Sequence, residues 1–256
     1  MALAFEMGCR IHGIRCQVKH VSKYTPEHAD LVWVYGLGEA LPVYKAHEGA
    51  VRCVGDKGYF AGYPMPKYQR VSVNAQQPDA HLQRRPHPSD RFSELNINVT
   101  PVETRGDYVM ICGMGTKQCK LQGLSYGQWE TETYHKVRAV TNRPILIREK
   151  PKNAHIPCAP RSTHASTAEA IRGAWAVVCM TGNIGVDCIL HGVPVIAKEG
   201  PGSVYYKATL EDIETVKVLT LEQRRNALAD IAYWNWRRDE FIKGTFISHL
   251  KAEGFL

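Results

Sequence analysis

The chain has 256 residues, of which 44% are hydrophobic and 22% are charged. This length exceeds the ~100–200 residues of a usual single domain, so it predicts two compact domains that share a cleft. No apolar run approaches the ~20 residues that a membrane span needs. The composition therefore indicates a soluble globular protein, for which we expect no membrane partner.

The chain is basic, with a formal net charge of +7 and a pI near 9.0. The excess is not gathered in one arm, because residues 1–105 carry 13 Lys+Arg against 10 Asp+Glu and the remainder carries 19 against 15. A cleft lined by this excess would suit DNA, RNA or the diphosphate of a nucleotide, and a generally basic surface is the alternative. Charge alone does not choose among them.

The cysteines and the first residues both bear on the cellular compartment. The eight cysteines include no CxxC pair, and several stand in apolar runs such as YVMICG and WAVVCM. Buried, reduced thiols are typical of the cytoplasm. The opening MALAFEMGC has no basic stretch before its apolar residues, which a secretory signal would need. We therefore expect a cytoplasmic protein.

The first part of the chain reads as a small α/β unit. Residues 28–80 hold the short β-like runs ADLVWVYG, AVRCVG and YQRVSVN, which Gly and Pro residues separate. Residues 76–106 are polar and Pro-rich without sustained periodicity, as expected of a crossing between domains. We place the boundary near Arg105, which gives a first domain over 1–105 and a second over 106–256.

Beyond Arg105 the chain alternates regularly between strand-like and helix-like segments. The strands are DYVMICG, RPILIRE, WAVVCM and VPVIAKE, and the helices between them are SYGQWETETYHKVRAVT, STAEAIRGA and NIGVDCILHG. Such alternation predicts a doubly wound parallel sheet. Ligands of these sheets bind outside the carboxyl ends of the strands, so the residues that follow each strand are the candidate site.

Each predicted strand is followed by groups suited to phosphate or sugar. The residues that we expect to bind a ligand are Gly115, Thr116, Lys117, Arg148, Lys150, Thr181, Gly182 and Asn183. Thr181–Asn183 opens a helix whose free N–H groups would attract a diphosphate, and simple N-capping is the alternative. Arg148 and Lys150 share one side of an extended segment and could neutralise phosphates together, unless they are only solvated charges.

Four clusters in total belong to this edge. The second strand is followed by Arg148–Lys152 and the fourth by Lys198–Gly202. The first turn, Gly113-Met114-Gly115, is not a dinucleotide fingerprint, because Gln118 stands where the third glycine is needed. The coincidence of four such turns at one edge is the informative feature, since any turn residues would satisfy folding.

The stretch AWAVVCMTGNIGVDCILHGVPVIAKEG resembles the donor-site segment of GT-B glycosyltransferases. It contains the strand, the turn Thr181–Asn183, an acidic residue on the next helix and the Gly-x-Pro-Val-Ile run that begins at Gly192. The resemblance implies that Asp187 contacts the nucleotide ribose. It also implies two Rossmann-like domains flanking a cleft, a metal-independent mechanism, no tightly bound cofactor, and a nucleotide-diphosphate sugar, in particular a UDP-sugar, as co-substrate.

The closing helices LTLEQRRNALADIAYWNWRRDEFIKGTFISHL resemble those of small phage-encoded glycosyltransferases. If a phage encodes this chain as well, we expect it in the host cytoplasm. Some of those enzymes modify hydroxymethylated pyrimidines in DNA, so the resemblance implies double-stranded DNA containing 5-hydroxymethylpyrimidine as the acceptor. The alternatives are a saccharide, lipid or small-molecule acceptor, and a catalytically inactive nucleotide-sugar-binding module. For Tyr233, Trp234 and Trp236, core packing is favoured over base stacking.

The first domain should carry the acceptor site and a catalytic base. Asp56, which follows a short apolar strand between two glycines, ranks first, ahead of Glu39 and His47. The alternatives are a turn former, a first-turn helix acid and an exposed loop residue. No DxD pair or His/Cys ligand spacing suggests a metal. GT-B first domains open with a strand, whereas this chain opens with a helix-like run, so we expect a pared-down first domain and an open acceptor site.

Overall fold

A computed structural model describes residues 1–60, 68–102, 104–150 and 153–256. The chain divides into two compact units. The first unit comprises Met1–Pro78 and Tyr233–Leu256, and the second comprises Asp79–Ala232. Each unit is built on its own four-stranded sheet. Among the described residues, no helix has the length and apolar character needed to cross a membrane.

The described part of the chain contains the following elements. The strands are β1 (Leu31–Tyr35), β2 (Val51–Lys57), β3 (Tyr68–Val73), β4 (Tyr108–Cys112), β5 (Ile145–Arg148), β6 (Ala174–Cys179), β7 (Val195–Ala197) and β8 (Asn235–Arg237). The helices are α1 (Ala2–Ile11), α2 (Leu41–Ala46), α3 (Asp90–Ser93), α4 (Thr116–Gln122), α5 (Gln128–Val140), α6 (Thr167–Arg172), α7 (Ile184–His191), α8 (Pro201–Tyr206), α9 (Leu221–Ala232), α10 (Arg238–Ile242) and α11 (Thr245–Ala252).

The sheet of the first unit is mixed. Its strand order is β1-β2-β3-β8, in which β1 and β2 are parallel while β3 is antiparallel to both β2 and β8. This differs from the Rossmann-like first domain that the resemblance implied. The physical reason is the length of the connection: residues 58–67 separate β2 from β3, whereas a parallel crossover needs roughly a dozen residues or more.

The C-terminal segment belongs to the first unit, not to the second domain as expected. β8 extends the first sheet, and α1 packs against α10 and α11. Trp234 and Trp236 are fully buried, and the ring of Trp236 lies 5.1 Å from that of Phe246. The core-packing interpretation of these two tryptophans is therefore confirmed.

The sheet of the second unit is entirely parallel, with the order β5-β4-β6-β7. Because a β-strand is pleated, successive side chains of β4 point to opposite faces of the sheet. Val109 and Ile111 pack with Val137 of α5 on one face, while Tyr108 and Met110 pack with residues of α6 and α7 on the other. The predicted parallel α/β sheet is confirmed for this unit.

The polar, Pro-rich segment that the sequence suggested as an interdomain linker belongs largely to the second unit. Within the second unit, α3 packs on α9, and Asp230 of α9 accepts hydrogen bonds from Gln83 N–H (2.7 Å) and His87 Nδ1 (2.6 Å). Arg105, near which the boundary was predicted, lies inside this unit, with its guanidinium 3.3 Å from the centre of the Trp175 ring. The compact units instead divide after Pro78 and after Ala232.

Candidate functional site

The parallel sheet has a topological switch point between β4 and β6. The chain runs from β4 to β5 on one side of β4, and then crosses back to β6 on the other side. Crevices at the carboxyl ends of such strands are where open α/β sheets bind ligands. We call the loops that follow β4, β5, β6 and β7 (residues 113–115, 149–150, 180–183 and 198–200) the carboxyl rim.

The rim loop after β4 is fixed by a buried acid that sequence reasoning missed. Glu130 of α5 is fully buried, and its Oε1 accepts the Met114 N–H at 2.5 Å. Its Oε2 has no hydrogen-bond partner among the described residues. Glu130, Thr133 and Val137 are the buried residues of α5. Their i, i+3, i+7 spacing is the signal that could have shown that Glu130 faces inward.

Lys150 lies against this loop. A methyl group added at Gly115 would come within 2.9 Å of Lys150 Nζ. Gly115 precedes α4, and Thr116 and Lys117 are exposed in the first turn of that helix. The structure therefore brings Gly115, Thr116, Lys117 and Lys150 together. Pro151 and Lys152, which continue the predicted cluster, lie outside the described residues.

Arg148 turns to other neighbours than Lys150. Its Nη1 donates to the His164 carbonyl at 3.2 Å and to Ser162 Oγ at 3.4 Å. Burial raises the pKa of the Cys112 thiol to about 12, while the Arg148 charge lowers it and the Asp187 charge raises it. Arg148 and Asp187 thus both act on the end of β4. Neither Arg148 nor Lys150 has an acidic partner among the described residues.

Between these two cations, Glu149 is held by three donors. Its Oε1 accepts from His155 Nδ1 at 2.8 Å and from the Ile156 N–H at 3.0 Å, and its Oε2 accepts from Arg161 Nε at 3.0 Å. Burial tends to raise the pKa of Glu149, but these hydrogen bonds and the Arg161 charge outweigh it, so the pKa lies below its ordinary value. This carboxylate therefore anchors the rim loop after β5.

The loop after β6 has open space beside its glycine. Gly182 has a φ of +118°, and a Cβ added there would meet nothing within 4 Å. The Oγ1 of Thr181 is buried and has no hydrogen-bond partner among the residues that the structure describes. Asn183 is the N-cap of α7, whose first N–H groups have no acceptor within the helix.

The helices that follow the rim loops after β6 and β7 pack against each other at two glycines, Gly185 of α7 and Gly202 of α8. A methyl group at Gly185 of α7 would come 2.9 Å from the Gly202 backbone nitrogen, and one at Gly202 would come 2.9 Å from Val195 Cγ1. In the rim loop before α8, the Gly200 N–H donates to Asp79 Oδ2 at 2.7 Å. The starts of α7 and α8 therefore touch through backbone atoms.

The three candidate bases of the first unit have different surroundings. Asp56 lies inside β2 instead of following it, and its carboxylate accepts from Arg70 Nη2 at 2.8 Å and from the Lys57 N–H at 2.7 Å. His47 is buried, with Nδ1 2.9 Å from the Val43 carbonyl and Nε2 3.0 Å from the Glu27 carbonyl. It is not the exposed loop residue of the alternative interpretation.

Glu39 differs from both. It is exposed in the turn before α2, and its carboxylate has no hydrogen-bond or ion-pair partner within the described ranges. The local geometry thus leaves Glu39 with an uncommitted carboxylate, while Asp56 and His47 have structural partners.

Comparisons with known proteins give similarity at the level of structure. No protein-family model matches the chain, and no curated protein matches it. Among solved structures, the chain is similar to KpsC of Thermosulfurimonas dismutans, described as a β-Kdo 2,7 transferase, with a TM-score of 0.45 and 13% identity over 85% of each chain. A similarity of this size does not determine activity.

Proposed function

We propose that the second unit binds a nucleotide-diphosphate sugar at its carboxyl rim and that the chain is a glycosyltransferase. The observation that carries the proposal is the switch point itself. An open glycine turn, the start of α7 and a buried hydroxyl that has no hydrogen-bond partner among the described residues lie there. Lys150 of the rim and Arg148 at the end of β5 have no acidic partner in the described part of the chain.

The chemistry of the rim suits a diphosphate leaving group. The N–H groups in the first turn of α7 and the Lys150 ammonium stabilise negative charge, and Gly182 lets the backbone approach a ligand closely. As the sugar leaves its nucleotide, the charge on the diphosphate grows, so these groups act most strongly in the transition state. Asp187 contacts the ribose in this proposal, as the resemblance implies.

The acceptor hydroxyl needs a base in the first unit. Asp56, Glu39 and His47 remain the candidates, and Glu39 is the one whose carboxylate is not already engaged. Glutamine at this position should abolish sugar transfer while leaving nucleotide affinity unchanged. Sugar transfer by E39Q at the wild-type rate would remove Glu39 from this role.

Donor binding is tested by calorimetry with UDP, GDP and their sugars. Thr181→Val removes a hydroxyl that no described residue uses, so it should lower nucleotide affinity roughly 10- to 150-fold, on the scale of one lost hydrogen bond to a charged group, without lowering the melting temperature. Lys150→Ala should lower affinity by a similar factor. Lys136→Ala, which removes an exposed lysine of α5, is the matched control.

Wild-type affinity in both T181V and K150A would refute the site, as would an equal loss in K136A. No binding of any nucleotide sugar by the wild-type protein would refute the donor assignment itself.

The acceptor that we propose first is 5-hydroxymethylpyrimidine in double-stranded DNA, which rests on the resemblance of the closing helices. The test incubates labelled UDP- and GDP-sugars with DNA containing 5-hydroxymethylcytosine or 5-hydroxymethyluracil, and analyses the nucleosides by mass spectrometry. Label in modified but not in plain DNA supports the proposal. Donor hydrolysis with inert DNA directs the search to saccharide, lipid or small-molecule acceptors.

A second candidate function is a nucleotide-sugar-binding module without catalysis. It is favoured by the engagement of Asp56 with Arg70 and of His47 with two carbonyl groups, which leaves few uncommitted bases. This candidate predicts nucleotide-sugar binding with neither transfer nor donor hydrolysis.

A further inference from the structure

The N-terminal helix exposes an apolar stripe. Four large hydrophobic side chains of the first 18 residues are exposed, namely Leu3 (64%), Met7 (49%), Ile11 (62%) and Val18 (41%). Leu3, Met7 and Ile11 are spaced four residues apart on α1, so they lie along one side of the helix. We call these three residues the α1 stripe.

The α1 stripe is not a by-product of a loosely attached helix. Ala4, Phe5, Gly8 and Cys9 are buried on the other side of α1, which packs against α10 and α11. A methyl group at Gly8 would come within 2.2 Å of the Phe241 carbonyl oxygen. The helix is thus held firmly by one face, and the α1 stripe is presented outward.

Basic residues accompany the α1 stripe. Residues 1–23 contain four Lys+Arg (Arg10, Arg15, Lys19 and Lys23) and a single acid, Glu6. Glu6 pairs with Arg10 at 2.6 Å, and Lys19 pairs with Glu27 at 2.7 Å. Arg15 and Lys23 are exposed, and neither has an acidic partner in the described part of the chain.

We propose that α1 and the basic segment that follows it dock on an anionic lipid surface. The apolar side chains would enter the boundary between headgroups and acyl chains, while the cations would face the anionic headgroups. The proposal concerns attachment to a surface, not a span, and it does not depend on the donor site. Four such side chains expose on the order of a few hundred Å².

The extent of this apolar surface favours a lipid over a second copy of the chain. A stable dimer buries about 800 Å² on each partner, more than the exposed apolar side chains of this region provide. An interfacial segment needs less contact area, because attraction to anionic lipid adds to the apolar insertion.

The experiment is co-sedimentation of the full chain with vesicles of phosphatidylcholine alone or mixed with phosphatidylglycerol. The wild-type protein should sediment with the mixed vesicles and much less with the neutral ones. The L3S/M7S/I11S variant should lose roughly tenfold or more in binding to the mixed vesicles. The matched control is Y35S, because Tyr35 is similarly exposed (57%) on β1.

A charge variant separates the two contributions. R15Q/K23Q should weaken binding to the anionic vesicles, and added salt should weaken wild-type binding in the same direction. The melting temperature of L3S/M7S/I11S should match that of the wild type, because all three side chains are exposed. A large drop in melting temperature would overturn the outward orientation of the α1 stripe.

Other outcomes also decide against the proposal. It is overturned if the wild-type protein stays in solution with both vesicle types, or if L3S/M7S/I11S binds as the wild type does. Sedimentation velocity tests the alternative that a second copy of the chain covers the α1 stripe. A wild-type dimer that L3S/M7S/I11S converts to monomers, without vesicle binding, would assign the α1 stripe to a second copy of the chain.

Discussion

Arg224 of α9 is a buried cation with no acidic partner among the residues that the structure describes. Its guanidinium donates to the carbonyls of Ile189 (2.7 Å), Leu190 and Thr100 (2.8 Å), two of which lie in the last turn of α7. Arg224→Met would remove all three hydrogen bonds, although the Ile189 carbonyl would still accept from the Gly192 N–H at 3.2 Å, so we expect the free energy of unfolding to fall by about 3 kcal/mol. Urea denaturation measures the change.

Arg225 provides the control for this prediction. It is the next residue of α9 and is exposed, so Arg225→Met should change stability by no more than about 0.5 kcal/mol. Equal losses in the two variants would contradict the assigned role of Arg224.

Glu149 makes the stability of the second unit depend on pH. Its pKa in the folded chain is lower than the ordinary value of 4.5, because the three hydrogen-bond donors outweigh burial. The resulting stabilisation is fully present above pH 4.5 and is lost as the pH falls through the folded pKa. Glu149→Gln should therefore cost about 1–2 kcal/mol at pH 7 and progressively less in acid.

The measurement is the unfolding free energy of wild type and E149Q between neutral and acidic pH. Glu222→Gln, which changes an exposed acid of α9, should follow the wild-type curve. A gap between wild type and E149Q that stays constant with pH would show that Glu149 contributes nothing through its charge.

At the residue scale, the sequence predicts which residues lie at the carboxyl rim. It does not predict whether their polar groups already have hydrogen-bond or ion-pair partners. The strand ends identified Lys150, Thr181 and Gly182, because connectivity alone brings them to one edge of the sheet. Whether a hydroxyl or carboxylate is already engaged depends on contacts far along the chain. The Asp56–Arg70 ion pair crosses from β2 to β3, and no local pattern reveals it.

At the scale of elements, the α1–α10 contact depends on one glycine. An alanine methyl at Gly8 would approach the Phe241 carbonyl oxygen to 2.2 Å, so α1 must move away from α10. We expect Gly8→Ala to lower the unfolding free energy by about 1–3 kcal/mol, measured by chemical denaturation.

The control is Gly38→Ala. A Cβ at Gly38 would meet nothing within 4 Å, and its φ is not in the left-handed region, so stability should be preserved or slightly raised. A destabilised G38A with an unaffected G8A would reverse our assignment of the close contact.

The predicted strands were located well because each is a short, continuous apolar run. β4, β5 and β7 fall within the segments expected from the sequence, and β6 begins one residue before its segment, at Ala174. α4 was missed, since seven residues hold too few turns for a hydrophobic period to emerge. The direction of β3 was also not foreseen, because strand direction follows from connection length more than from composition.

At the scale of the whole molecule, the first unit draws on both ends of the chain. β8, α10 and α11 complete the sheet and core that β1, β2 and β3 begin. Destabilisation by Gly8→Ala should therefore speed amide exchange in residues 235–251 as well as in 31–57, and leave β4 and β6 protected. Hydrogen exchange followed by mass spectrometry measures these rates. Faster exchange confined to α1 would contradict the prediction that the first unit unfolds cooperatively.

The sequence could indicate two compact regions but not their composition. A polar, Pro-rich stretch ordinarily marks a linker. Residues 79–95 nevertheless pack on α9, where Asp230 accepts two hydrogen bonds from them, and amino-acid composition does not predict such individual contacts. The return of residues 233–256 to the first unit is likewise a long-range pairing. Periodicity reports local structure, whereas the division into units is set by contacts between distant segments.

The contact between Gly185 and Gly202 limits how this protein can vary. Neither position has room for a side chain, since backbone or β7 atoms lie 2.9 Å from where a Cβ would stand. Any related chain that keeps this rim must keep both positions small, or change both together with Val195. The two glycines are thus a joint sequence signature by which relatives sharing the rim, though dissimilar elsewhere, can be recognised.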